Sequence, residues 1–141
     1  MIYIILALLF YSAAIMFGAH ASRNANSNLV SAVMNILSAV IPVAVIVPLL
    51  SKKLIGDSRL GILYAAVAGV AIALFTMALN RSYSVNKVAI VAPIVFGGAI
   101  FLSAILSSVF FKEKIGLLQG VGLGFLGLGL ILIIYARATV K

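Results

Sequence analysis

The residues that most often carry chemistry are scarce in this chain. It has two carboxylates, Asp57 and Glu113, one histidine, His20, and no cysteine. Each acid sits among bases, Asp57 beside Lys53 and Arg59 and Glu113 between Lys112 and Lys114, so both read as solvated loop charges with nearby partners. The lack of Cys excludes a disulfide scaffold and any thiolate-ligated zinc or iron–sulfur centre. No Ser/His/Asp set, phosphate-cradling glycine loop or metal-ligand cluster is present either. No enzyme activity, metal or cofactor is therefore expected.

What remains is a small set of neutral polar groups set into apolar surroundings. Tyr11 and Asn35 stand at depth in long apolar runs, Ser31 and Ser38 share the face of Asn35, and Thr76 lies near the end of a third run. Buried polar side chains in hydrocarbon are costly unless solvated or paired. Tyr11, Asn35, Thr76 and the region of Pro93 are thus expected to line a substrate pathway, the alternative being interhelical hydrogen bonding. For Ser103 and Ser107 that second reading is preferred.

Those residues must be positioned by membrane-spanning helices. The 141 residues are 65% hydrophobic and 9% charged, against about 45–50% and about 25% in soluble domains. A helix needs about 20 apolar residues to cross the bilayer, and five segments qualify: 2–20, 29–50, 60–79, 88–111 and 115–135. None alternates apolar with polar residues as a barrel strand would. The expectation is an all-α integral membrane protein, a single domain over 1–141 with five transmembrane helices in a compact bundle. The first run lacks a basic leader and is long for a signal peptide, so it reads as a retained span.

The net charge of +8 comes from bases placed singly or in pairs between the spans, which is the pattern of membrane-flanking residues and not of a nucleic-acid surface. Lys52, Lys53, Arg59, Lys112 and Lys114 fall on the side of the N-terminus. Arg23, Arg81, Lys87, Arg137 and Lys141 fall on the other, five against five. Short-loop Lys and Arg set orientation, so a tie is compatible with insertion in both directions. His20, Asn35, Thr76, Asn80 and Pro93 all trace to the half of the bilayer away from the N-terminus, which points to a hydrated vestibule on that side narrowing towards Tyr11.

Helix-breaking and small residues complete the pattern. Pro42, Pro48 and Pro93 lie inside spans, and Pro93 is followed by Gly97 and Gly98. Pro42, Pro93, Gly97 and Gly98 are expected hinge positions, since proline removes a helical hydrogen bond and broken helices line transporter sites. Gly116, Gly120, Gly124 and Gly127 share one face of the last span, a close-packing stripe either against a helix of the same chain or against another subunit.

The order of these features resembles a known family. The stretch Ala78-Leu79-Asn80-Arg81-Ser82-Tyr83-Ser84-Val85, then Ala92-Pro93, then Phe111-Lys112-Glu113-Lys114-Ile115-Gly116, then Gln119-Gly120-Val121-Gly122-Leu123-Gly124, is similar to one half of an EamA-type transporter of the drug/metabolite transporter superfamily. The resemblance covers residues 60 to 136 well and the front of the chain in span number and length. It implies one half of an inverted-repeat transporter, with Pro93 as the cavity-facing kink, Glu113 as the turn glutamate and Gly116 to Gly129 as the packing helix. Members with two such units move small metabolites, amino acids or drugs through a central cavity. A homodimer, antiparallel if insertion is dual, or a paired five-helix partner would rebuild that architecture in the plasma (inner) membrane. Unlike small multidrug resistance proteins, the first span has no glutamate, which favours facilitated diffusion, exchange or another coupling route over proton-driven export. The competing expectations are a non-transporting subunit of a larger complex and a flippase-like subunit for a lipid-linked group.

Overall fold

A computed structural model of the chain describes residues 2–49 and 59–139. Leu50, Lys52, Lys53, Asp57 and Lys141, which enter the span and charge readings above, lie outside the described residues. Regular structure among the described residues is all helical. Five helices are long and apolar enough to cross a membrane: α1 (Ile2–Asn24), α2 (Ser27–Ile46), α3 (Arg59–Val85), α4 (Val88–Phe110) and α5 (Leu117–Thr139).

Hydropathy marks where hydrocarbon begins, whereas capping marks where a helix ends, and the two differ here. The first apolar run ends at His20, yet α1 continues to Asn24. Side chains in this extra turn bond back to carbonyls one turn earlier, Ser22 Oγ to Gly18 O at 2.8 Å and Asn24 Nδ2 to His20 O at 2.8 Å. The chain then reverses within Ala25 and Asn26. Asn26 is extended (φ −60°, ψ 125°) and its side-chain oxygen accepts from the N–H of Asn28 at 2.9 Å and of Leu29 at 3.4 Å. That is an N-cap satisfying donors that a helix start otherwise leaves unpaired. Likewise α3 runs past the apolar segment to Val85, leaving only Asn86 and Lys87 before α4.

Proline acts differently at its three positions. The backbone stays α-helical across Pro42 and tightens into a 3-10 turn only at Val47–Leu49, around Pro48. Around Pro93 the helix widens into a π turn over Pro93–Gly97, between α-helical Val88–Ala92 and Gly98–Phe110. Such a turn carries the missing proline N–H without ending the span. α4 ends at Phe110, and Lys112 in the following turn adopts a left-handed backbone (φ 54°).

The chain forms two compact units, Met1–Val85 and Asn86–Lys141. In the first, α1, α2 and α3 pack against one another; in the second, α5 packs on α4, including its π turn. Burial is inverted relative to a water-soluble domain. The buried set holds Ser22, Ser27, Ser31 and Asn80 alongside Ala19, Val30, Tyr83 and Val91, while Phe17, Leu117 and Leu118 are 77%, 87% and 88% exposed. Large apolar side chains facing outward and small or polar ones facing inward suit a lipid solvent, where packing and hydrogen bonds hold helices together.

Candidate functional site

The buried and half-buried polar residues on the facing sides of α2 and α3 form one seam, and their spacing explains it. Ser27, Ser31 and Asn35 follow at intervals of four along α2, and Thr76, Asn80 and Tyr83 at four and three along α3, so each set makes one stripe. The stripes meet. Asn35 Nδ2 donates to Thr76 Oγ1 at 2.7 Å and to Ser31 O at 2.7 Å, and Thr76 Oγ1 in turn donates to Ala73 O at 2.9 Å. The Ser31 hydroxyl lies 2.8 Å from Ser27 O and 3.2 Å from Thr76 O, shares its proton between them, and accepts from Asn80 Nδ2 at 2.9 Å.

Asn80 reaches furthest into this junction. It is 1% exposed, and besides Ser31 it donates to Met34 Sδ at 3.5 Å. Its carbonyl oxygen has no hydrogen-bond partner, and neither has the buried hydroxyl of Tyr83. The third wall is Gly18 of α1, where a Cβ would stand 3.1 Å from Met34 Cε, 3.3 Å from Met34 Sδ and 3.7 Å from Asn80 Oδ1. Gly18 is the residue that lets α1 approach this closely. The arrangement offers hydroxyl and carboxamide donors and acceptors and no formal charge, since no acid or base lies on the facing stripes.

The structure thus brings Asn35 and Thr76 into direct contact. Tyr11 lies on α1 about two turns towards the N-terminus from Gly18 and is 48% exposed. Pro93 belongs to the second unit, where it opens the π turn. In that unit Gly97 is buried and a Cβ on it would stand 2.8 Å from Leu130 Cδ2, so it is a socket for a side chain of α5; Gly98 has nothing within 4 Å. Of the glycine stripe, Gly127 faces Phe101 (3.7 Å to Cε2) and Gly120 only reaches Ile115 (4.0 Å), whereas Gly116 and Gly124 face open space. Glu113 is exposed in the turn before α5. Ser27, Tyr83, Gly18 and Met34 are the members of the seam that sequence reasoning missed. The four-residue polar repeats on α2 and α3 were the available signal for the stripes, but nothing local announces a glycine or methionine that closes them.

With all regular structure among the described residues helical and five of those helices apolar and of spanning length, the chain is a multi-pass membrane protein. Residues 1–135 match the EamA-like transporter family, and the chain belongs to that family. It is a membrane transporter of the drug/metabolite type. Comparison with curated protein sequences and with solved structures gave no match.

Proposed function

We propose that the chain is one five-helix domain of a plasma-membrane carrier for small polar molecules. It works as a dimer with a central cavity and alternating access. The observation that carries this reading is the Asn35–Thr76–Ser31–Asn80 seam, an uncharged set of hydrogen-bonding groups within spanning helices. The family supplies the transporter class; the seam supplies groups able to exchange their mutual bonds for bonds to a solute. Tyr11, Asn35, Thr76 and Pro93 form the pathway in this reading, and Pro42, Pro93, Gly97 and Gly98 its bending points. The open face at Gly116, Gly120 and Gly124 is the contact with a second copy or a paired five-helix protein, whereas Gly127 packs on Phe101 of the same chain. The five-to-five charge tie favours an antiparallel pair, and without an acid on the seam carboxylate-based proton coupling has no carrier there.

Reconstitution tests it. Proteoliposomes holding the full chain are expected to exchange labelled small polar solutes faster than empty liposomes. Asn35→Leu, which leaves Thr76 without its partner, is expected to lower the flux at least about tenfold while the protein still elutes as a single species. Equal flux in the variant would remove Asn35 from the pathway, and no exchange for any solute in a broad panel would sink the transport reading.

A further inference from the structure

The carboxamide of Asn80 is served unevenly. One Nδ2 proton goes to a good acceptor, Ser31 Oγ at 2.9 Å; the other goes to a thioether, Met34 Sδ at 3.5 Å, a weak acceptor; and Oδ1 has none. The residue is 1% exposed, so water does not make up the difference. A buried polar atom left unpaired costs as much as the desolvation it suffers, so such groups are almost always satisfied. Three residues on, and so on the same face of α3, the buried Tyr83 hydroxyl is a second group without a partner. The thioether end of Met34 fills the space beside the carboxamide, against the bare backbone of Gly18. Methionine is the unbranched, adaptable side chain that vacates such a space most readily.

The geometry points to Asn80 as a recognition residue for the neutral amide group of a solute, with Met34 as the displaceable plug that holds its place. This inference rests on the transport reading above and names the solute class. An incoming amide brings an N–H to the unpartnered Oδ1 and a C=O to the Nδ2 proton now spent on sulfur, so both deficits are met by one functional group. A primary amide, a lactam or a nucleobase edge has this pairing; a trans secondary amide turns its N–H and C=O to opposite sides, and a tertiary amide lacks the N–H. An ammonium or carboxylate is disfavoured because no opposite charge lies on the seam to offset its desolvation.

The test uses the purified full-length chain in detergent, with nicotinamide and uracil as probes and N,N-dimethylnicotinamide and 1,3-dimethyluracil as matched controls without the N–H. Thermal unfolding is followed as each is titrated. The expected result is protection by nicotinamide or uracil, little by the methylated controls, and tighter binding by at least about fivefold in Met34→Ala, which empties the plug. Asn80→Leu is expected to lose the protection; the methylated controls and Met34→Ala keep the test sound where that variant fails to fold. Equal protection by probe and control, or none from either probe in wild type and Met34→Ala, overturns the inference. A parallel flux assay separates the two claims. Exchange of other solutes with no amide binding sinks the recognition role and leaves transport standing, whereas amide binding with no exchange of any solute sinks transport and leaves the site standing.

Discussion

The two units of this chain solve the same problem by different means. In hydrocarbon, apolar side chains gain nothing by leaving lipid for protein, so helices must be joined by hydrogen bonds or by close van der Waals approach. In the first unit α2 and α3 are joined by hydrogen bonds, Asn35 to Thr76, Ser31 to Thr76 O and Asn80 to Ser31, with α1 brought against them at Gly18. In the unit of α4 and α5 the serines turn inward on their own helix instead, Ser103 to Ile100 O, Ser107 to Ala104 O and Ser108 to Ile105 O. Its helices meet through glycine sockets, Leu130 against Gly97 and Phe101 against Gly127. Hydrogen bonds fix register and can be traded for bonds to a solute. Sockets fix distance alone and leave the backbone free to bend, which is where the π turn at Pro93–Gly97 occurs. The interhelical polar bonds and the π turn thus fall in different units of one short chain.

The contrast breaks most sharply at the tightest socket. Valine at Gly97 puts carbon where Leu130 Cδ2 already stands, 2.8 Å from the new Cβ. Gly97→Val is expected to cost about 2 kcal/mol, the usual scale of overpacking. It should be measured by denaturant titration in detergent, and adding Leu130→Ala should recover part of the loss. Gly98→Val, one residue on with nothing within 4 Å, is expected to change stability by less than about 0.5 kcal/mol. Equal losses at both positions would mean that the damage comes from helix propensity at the π turn and that the socket contributes nothing.

A smaller effect sharpens the other side. A double-mutant cycle on Asn35→Ala and Thr76→Ala is expected to give a coupling near 1 kcal/mol, between the average of about 0.6 and the maximum of about 1.7 for hydrogen bonds between membrane helices. Ser103→Ala, which removes only a bond back to its own helix, should be close to neutral. A coupling indistinguishable from zero would say that the seam adds no stability and that its polar groups are kept for solute binding.

Much of this was legible from residue types, and the rest was not for definable reasons. Five spans follow from hydropathy because the bilayer demands long apolar runs. Helix ends do not, since the last turns to Asn24 and Val85 carry side-chain bonds back to their own helix, from Ser22, Asn24 and Ser84, that hydropathy does not weigh. Asn35 and Thr76 were recognisable as costly polar residues at depth, but their facing one another depends on how α2 is rotated against α3. Pro93 announced a bend without its form. Gly97 read as a flexible point, whereas its absent side chain is needed by Leu130, a residue distant in sequence. The glycine stripe was plain as a stripe; that Gly116 lies just ahead of α5, and that Gly127 meets Phe101 while Gly116 and Gly124 meet nothing within 4 Å, required coordinates.

The weakest expected effect lies in the turn that joins the helices of the second unit. α4 closes with Phe111 N–H bonded to Ser107 O at 2.9 Å, and the next residue, Lys112, takes φ 54°. That left-handed position after a helix is normally filled by glycine, because a Cβ there crowds the backbone. Lys112→Gly is expected to stabilise the unit by about 0.5 to 1 kcal/mol, the relief of strain being partly offset by a freer unfolded chain. The substitution also removes a base from a short loop and so changes the five-to-five count on which the proposed dual insertion rests. Lys112→Ala separates the two effects, since it deletes the same charge and keeps the Cβ. If glycine stabilises and alanine does not, the backbone is the cause. If both stabilise alike, the charge is, and the left-handed turn carries no strain.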